Sequence, residues 1–372
     1  MKTKTNTRVA SIDILRGLDI FVLTFIGPVL GTFISVTNGL FGPGFQHQLD
    51  HVDWEGLVTW DMIMPLFLFT AGLSMPFALS KYVGGPKKDA FKRIIKRVIL
   101  LYIFGGMVQG NFLDLNVDNI RLFSNTLQSI AVGYLFAALF ILYLSNRLQI
   151  IVTAALLLIY WAVMTFAGHG DFSKEGNMAE LIDRAVLGRY RDGVSFNPDG
   201  TWTFAKWYNY TWILSSLNFV ATVMTGVFAG KIIKMDKSMA VRLKWLIILG
   251  ASMILCGYLW GFQMPVIKKI WTSSMVLVTS GISTLLLAFF FYVCEMWGKT
   301  KYISWLNIWG TNSIAAYLFA DLLHFSNITS PLLYGLEQYT GSYYPFIVML
   351  VNQLIPVGIL YLMYKNKIFL RC

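Results

Sequence analysis

Charge is scarce in this chain. Only 13% of its 372 residues are charged, against roughly 25% in a typical soluble domain, while 56% are hydrophobic and 16% aromatic. The apolar residues come in long blocks, which excludes a soluble globular domain. Cysteine is scarce too. Cys256 and Cys294 lie inside apolar blocks and Cys372 is the last residue, so neither a disulfide framework nor a thiolate metal site can be read. The four histidines (His47, His51, His169, His324) show no H-x-x-x-H or H-E-x-x-H spacing. No inverted repeat, low-complexity tract or soluble domain is evident, and residues 1–372 read as a single membrane domain. A net charge of +11 would suggest nucleic acid in a soluble chain. Here the cations sit in short loops between apolar blocks, where they set orientation, and no nucleic-acid partner is expected.

What is present is the pattern of an all-α polytopic membrane protein. A helix needs about 20 apolar residues to cross a bilayer. Ten transmembrane helices are predicted, over 14–37, 57–80, 98–113, 124–145, 149–168, 212–231, 244–261, 273–297, 304–323 and 345–364. With the N-terminus inside, the inner segments hold 21 lysines and arginines and the outer ones 8, Arg16 in the first span completing the 30. That bias gives an N-in, C-in chain and places His51 on the outer side. The first apolar block carries charges and no small-residue cleavage site follows it, so it reads as a retained helix. Short tails without a targeting segment suit a bacterial inner membrane. The basic stretch Pro86–Arg97 reads as contact with anionic lipid headgroups, and a phosphate-rich cofactor could use the same charge. A homo-oligomer is neither required nor excluded.

The chain is organised around His51-Val-Asp-Trp-Glu-Gly-Leu-Val-Thr-Trp-Asp61-Met-Ile-Met-Pro65, which sets an imidazole, three carboxylates and two indoles at the mouth of an apolar run. Ionisable groups at such a threshold face a cavity or a partner rather than lipid. Pro65 lacks the N–H that would bond the Asp61 carbonyl, which frees a polar group beside a carboxylate. In the first span Asp13, Arg16 and Asp19 are spaced i, i+3, i+6, so Arg16 can pair with either acid. They form an ion-pair clip at the membrane edge or a docking point for an anion. Gln128, Ser129 and Tyr134, and further on Asn312 and Tyr317, put polar groups inside apolar spans, as interhelical hydrogen bonds or a site would. The long hydrophilic segment 169–211 carries the turn signal Asn197-Pro-Asp-Gly200. Five tryptophans and tyrosines follow from Trp202 to Trp212, as an interfacial belt or a stacking platform for a sugar.

Taken in order, these motifs resemble the heparan-α-glucosaminide N-acetyltransferase-like family of transmembrane acyltransferases. Ser11-Ile-Asp-Ile-Leu-Arg16-Gly-Leu is similar to the family's opening S-L-D-x-L/F-R-G. His51-x-x-Trp54-x-Gly56 with Asp61, Pro65 and Phe67 resembles its H-A-x-W-x-G-x-T-x-x-D-L-V-F-P-F stretch. The L-Q-S-I-A, I-D-R-x-x-L-G, N-P-D-G, P-x-x-K-K-x-W-T-S-S and G-T-N-S-I-A-A-Y segments have counterparts in the same order, so the resemblance covers nearly the whole chain. It implies acetyl transfer from cytoplasmic acetyl-CoA to an amino sugar or glycan acceptor across the membrane. The family's essential histidine matches His51, its motif aspartate Asp61 and the lysine of its P-I-N-K segment Lys268. The asparagines common late in the family's first span are Gly27 and Pro28 here.

Acyl transfer from a thioester needs a base or a nucleophile, and donors for the oxyanion. Histidine titrates near neutrality, and His51 is the candidate base or acyl carrier with Asp61 orienting it. Lys268 and Asn312 are candidate donors. Arg16, Gln128, Asn312 and Tyr317 are candidates to line a channel for the pantetheine arm of acetyl-CoA. The rival reading is a secondary transporter or flippase for a sugar- or lipid-linked substrate, in which intramembrane acids and broken helices also occur.

Overall fold

The computed structural model describes residues 9–37, 40–197, 199–205 and 210–370. Its main helices are α1 (Ala10–Val36), α2 (Thr59–Tyr82), α3 (Lys88–Gln109), α4 (Thr126–Tyr143), α5 (Asn146–Ala167), α6 (Met178–Leu187), α7 (Ser215–Lys234), α8 (Met239–Gly261), α9 (Ser273–Met296), α10 (Ser313–Leu322) and α11 (Tyr344–Lys365). Among the described residues, eight helical segments are long and apolar enough to cross a membrane. This supports an all-α polytopic membrane protein. The two other expected spans are also helical but differ in kind. The span expected at 98–113 is the second half of α3, whose first turns absorb the basic stretch. Lys88, Lys92 and Lys96 lie exposed while Ala90, Ile94, Leu101 and Gly105 are buried, so charge occupies one face. The span expected at 304–323 breaks at Asn312, whose backbone (φ −123°, ψ 38°) is not helical, leaving α10 only 10 residues.

The chain divides into two compact units. One comprises Gly44–Met235 and Leu249–Ser283. In it α2 packs along α7, and α4 packs on both. Lipid offers no hydrophobic drive between helices, so close approach of small residues takes its place. A Cβ on Gly72 would stand 1.9 Å from the Val223 carbonyl oxygen, and one on Gly226 2.0 Å from that of Phe69. Glycine is required at both. Leu68, Phe69, Leu73, Val223 and Val227 fill the rest of this seam and are fully buried.

The segment expected to be a long outer loop contributes α6 and a hairpin, β1 (Val194–Phe196) with β2 (Trp202–Phe204), paired antiparallel. Phenylalanine, valine and tryptophan favour the pleated backbone. The Asn197–Gly200 signal closes the hairpin, with Asn197 N–H donating to the Thr201 carbonyl at 2.8 Å and Gly200 at φ +83°. Pro198 within it, and Trp207 and Tyr208 of the aromatic cluster, lie outside the described residues. Trp212 is buried, stacked on Phe123 with centroids 5.3 Å apart, which makes it core and no sugar platform.

The other unit comprises Met1–Pro43, Asp236–Ile248 and Thr284–Arg371. Here α1 crosses the short helix Asn307–Thr311 with glycine on both sides. A Cβ on Gly17 would meet the Leu306 oxygen at 2.1 Å, and one on Gly310 the Asp13 oxygen at 2.1 Å. The Arg-Gly of the opening motif is thereby half explained by packing. Within α1, Val22–Ile26 widen into a π turn just before Pro28, with Gly27 N–H donating to the Val22 carbonyl. The wider turn accommodates a proline that offers no N–H and crowds the preceding turn.

Candidate active site

The site is built where the extended stretch before α2 meets the Met264–Ser274 loop. Asp61 is the third residue of a 3₁₀ turn, Thr59–Met62, that leads into the α-helical part of α2 at Ile63. From there its Oδ2 accepts the Val58 N–H (3.4 Å) and the Val52 N–H (3.3 Å). An acid reaching back to the residue before its own helix is half of a capping box. Pro65 falls in the first turn of the α-helix, where its N–H would have no partner in any case. It stands in the first turn of the helix rather than breaking it.

The other carboxylate oxygen holds His51 and Lys268. His51 Nδ1 lies 2.6 Å from Asp61 Oδ1, and Lys268 Nζ lies 3.2 Å from the same oxygen. A carboxylate only accepts, so the imidazole hydrogen sits on Nδ1. Lys268 Nζ is also 3.2 Å from Nδ1, an approach of two donors that share one acceptor rather than a bond between them. Asp61 is 2% exposed and Lys268 9%, whereas the His51 ring is 42% exposed. With the hydrogen of the neutral ring on Nδ1, the lone pair falls to Nε2, which has no hydrogen-bond partner among the described residues. Burial holds the Lys268 ammonium below its ordinary pKa, against the pull of Asp61.

Lys268 reaches Asp61 because its loop is pinned on every side. Gly56 N–H donates to the Val266 carbonyl (2.8 Å), and Glu55 pairs with Ile267 as a β-bridge. Thr272 Oγ1 donates to the Pro265 carbonyl (2.8 Å) and accepts the Ile267 N–H (3.1 Å). Ser274 Oγ donates to the same Pro265 carbonyl (3.1 Å). Trp271 is fully buried at φ +53°, a region costly for a bulky residue. Its carbonyl accepts from Asn218 Nδ2 (2.7 Å), and its indole N–H donates to Thr222 Oγ1 (3.1 Å). Trp271, Thr272 and Ser274 of P-x-x-K-K-x-W-T-S-S thus fix the loop that carries the lysine.

Around the cluster, Lys174 Nζ donates to Asp53 Oδ2 (2.5 Å) and holds that carboxyl below its ordinary range. Lys269 Nζ donates to the Asp53 carbonyl (2.9 Å). Asp183 of α6 accepts the Trp212 and Ile213 N–H groups at 2.7 and 2.8 Å, and burial pushes it up to about 7 despite those donors. The segment so held includes Tyr210, whose hydroxyl burial pushes up to about 12, with the Asp61 charge adding to the shift. Tyr210 lies in the field of the site and was not singled out by sequence; no spacing marked it among five neighbouring aromatics.

The structure therefore brings His51, Asp61 and Lys268 together. Gln128, in the same unit, spends its amide on the chain: Oε1 accepts from Ser124 N–H (2.8 Å), and Nε2 donates to the Leu122 carbonyl (3.3 Å). Arg16, Asn312 and Tyr317 belong to the other unit. Arg16 stands 4.0 Å from Asp13. Asn312 donates to the Ile368 carbonyl and accepts the Leu370 N–H, each at 3.1 Å, tying down the chain after α11. Tyr317 hydrogen-bonds Asp321. Asp19 is buried with neither oxygen hydrogen-bonded among the described residues.

Helices of this length support a polytopic membrane protein, and the His51–Asp61–Lys268 cluster at the end of one of them is its candidate site. No family model matches the chain. Along 97% of its length it is similar to the heparan-alpha-glucosaminide N-acetyltransferase of Mus musculus, with 23% identity over 427 aligned positions. The protein of that name from Homo sapiens is 25% identical over 432 positions, again across 97% of the chain. The chain spans about three fifths of the length of these relatives (60% and 59%). The similarity to these N-acetyltransferases runs nearly end to end along this chain.

Proposed function

We propose that this protein is a transmembrane acyltransferase that moves the acetyl group of acetyl-CoA onto an amino sugar or glycan acceptor. Residues 1–372 would act as one domain of a bacterial inner membrane, with acetyl-CoA arriving from the cytoplasm and the acceptor from the outer side. The observation that carries the reading is the His51–Asp61 pair. Asp61 fixes hydrogen on Nδ1 and leaves Nε2 basic and accessible, as general base catalysis requires. His51 Nε2 takes the proton of the acceptor amine or hydroxyl as that atom attacks the thioester carbonyl. The C–S bond breaks, and the imidazolium returns the proton to the departing sulfur. In the covalent variant Nε2 itself attacks the thioester carbonyl, and the C–S bond breaks with CoA leaving as its thiolate. The acetyl group then passes to the acceptor, whose proton goes by way of the freed Nε2 to the thiolate sulfur. Asp61 stabilises the imidazolium in both.

Lys268 neutralises Asp61 and is the nearest fixed positive charge for a developing oxyanion. Gln128 and Asn312 fit this role less well, since their amides are already bonded within the chain. The phosphates of the donor fit the basic face of α3. Arg97 lies over the Tyr134 ring at 4.4 Å, and its Nε–H is buried without a hydrogen-bond partner among the described residues. Acetyl-CoA supplies the activated carbonyl; all proton handling falls to the chain.

Titration of acetyl-CoA into detergent-purified wild type and His51→Ala, following melting temperature and free CoA together, tests the reading. A ligand of the folded state at 100 times its Kd adds about 2.7 kcal/mol, so both proteins are expected to be stabilised while only wild type releases CoA. No stabilisation of either would replace this reading by transport or flipping.

A further inference from the structure

The Ile182-Asp-Arg-Ala-Val-Leu-Gly188 motif takes no part in the chemistry above, yet its acid is among the most enclosed groups of the chain. Asp183 and Arg191 are fully buried, and Glu180, one turn before Asp183 in α6, is nearly so. Burying charge is costly unless it is paired, and the pairs made here lead to one segment. Arg184 Nε donates to Glu180 Oε1 (2.8 Å), and Arg191 Nη2 donates to Glu180 Oε2. Arg191 Nη2 also donates to the Tyr210 carbonyl (3.4 Å). Asp183 Oδ2 accepts the Trp212 N–H (2.7 Å) and Oδ1 the Ile213 N–H (2.8 Å). Gly188, at φ +51°, closes α6 with its N–H on the Arg184 carbonyl. The motif and Arg191 together grip the strap Tyr210–Ile213.

The amide between the gripped ones goes elsewhere. Thr211 N–H donates to the Lys269 carbonyl at 3.1 Å. At the start of α7, Ser215 Oγ donates to the Ile270 carbonyl (3.0 Å) and accepts from Thr211 Oγ1 (2.7 Å). On the other side of Lys268, Val266 and Ile267 are fastened to Gly56 and Glu55. Lys268 is therefore carried between two fastened edges, one on the stretch that bears His51 and the other on the strap. Its 3.2 Å approach to Asp61 depends on both. Hydrogen bonds are directional whereas apolar contact is not, so a carboxylate that accepts two consecutive amides fixes the strap more closely than packing alone.

We propose that Asp183 is a positioning residue for Lys268, acting through the Trp212 and Ile213 amides and the Thr211–Lys269 bond, with Arg191 as a second grip on the same strap. This rests on the acyltransferase reading, in which Lys268 is the fixed charge nearest the oxyanion. Asp183 itself touches no reacting atom.

The test is a double-mutant cycle in acetyl transfer from acetyl-CoA to glucosamine, with detergent-purified protein. Asp183→Asn keeps the shape and one of the two acceptors. Small displacements of a reacting group cost up to about 100-fold in rate, so Asp183→Asn is expected to lower kcat about tenfold with KM for acetyl-CoA unchanged. In a Lys268→Met background the same substitution is expected to cost less than about twofold, because the group it positions is gone. A role in folding alone lowers kcat by the same factor in both backgrounds. That result, or an unchanged kcat in Asp183→Asn, overturns the proposal. Hydrogen exchange reads the coupling without chemistry. Asp183→Asn should speed amide exchange in residues 210–215 and again in 264–274, while 126–143 keep the wild-type rate. Faster exchange confined to 210–215 overturns the link to the lysine loop. Ser215→Ala removes the bond to the Ile270 carbonyl without disturbing a buried charge, and both readouts are repeated with it in case Asp183→Asn does not fold. Additivity with Lys268→Met in that variant overturns the proposal equally. Coupled exchange with no acetyl transfer by the wild type overturns the acyltransferase reading and leaves the grip of α6 on the lysine loop standing.

Discussion

Asp61 is buried yet serves an imidazole, an ammonium and two backbone amides. Removing one partner of a buried pair costs roughly 3–5 kcal/mol, because the other charge stays buried. Lys268→Met is therefore expected to lower stability by about 3 kcal/mol, and Lys268→Met with Asp61→Asn to regain part of it. Thermal melts of the two variants check this; an equal loss in both would mean that Lys268 matters for packing alone. Asp19 is the opposite case, a buried acid with no hydrogen bond among the described residues. Since such groups are costly, Asp19→Leu is expected to raise the melting temperature, and a lowered one would show that the carboxyl has a partner. At this scale His51 and Asp61 were legible, because they sit ten residues apart in one polar stretch. Lys268 lies 207 residues from Asp61, a distance no local spacing spans, and only the family resemblance pointed to it. The amides of Gln128 and Asn312 looked available in sequence. Their bonds are to backbone groups that become neighbours only through folding.

Elements place these residues, and they can be tested one by one. Thr272→Val removes all three bonds that the Thr272 hydroxyl makes in the Lys268 loop, with Ile267, Pro265 and Ser274, while Thr272→Ser keeps them. The valine variant is expected to lose turnover and about 1–3 kcal/mol for the unpaired buried groups, with serine restoring both. Recovery of neither by serine would place the role in the methyl group. α6 holds Trp212 and Ile213 through Asp183, whose pKa rises from 3.8 to about 7. Between those values the folded protein binds more protons than the unfolded one, so the stabilising increment is full below about pH 4 and lost as pH rises through about 7. Melting temperature is expected to fall between pH 5 and pH 8 more in wild type than in Asp183→Asn, and an unchanged slope would remove Asp183 as the cause. Glycine seams were partly visible as Gly-rich spans. Which glycine touches which carbonyl depends on helix crossings that hydropathy does not encode. The basic stretch before residue 98 read as a partly amphipathic loop, and it forms the first turns of α3 with Ala90 and Ile94 buried one turn apart.

For the molecule as a whole, composition alone fixed the class, since apolar blocks of this length have few other solutions. The number of crossings was less legible, because helix α3 mixes charge with apolar residues and the span near Asn312 breaks in two. The acyltransferase reading makes a demand that no soluble enzyme meets: donor and acceptor are supplied from opposite sides. The most direct test uses protein reconstituted in sealed vesicles, with glucosamine trapped inside and acetyl-CoA labelled in its acetyl group added outside. Wild type is expected to build up acetylated sugar inside, while His51→Ala in equally tight vesicles does not. Acetylated sugar formed equally by the His51→Ala variant, or none formed by a wild type that binds acetyl-CoA, would contradict a transmembrane acetyl transfer centred on His51.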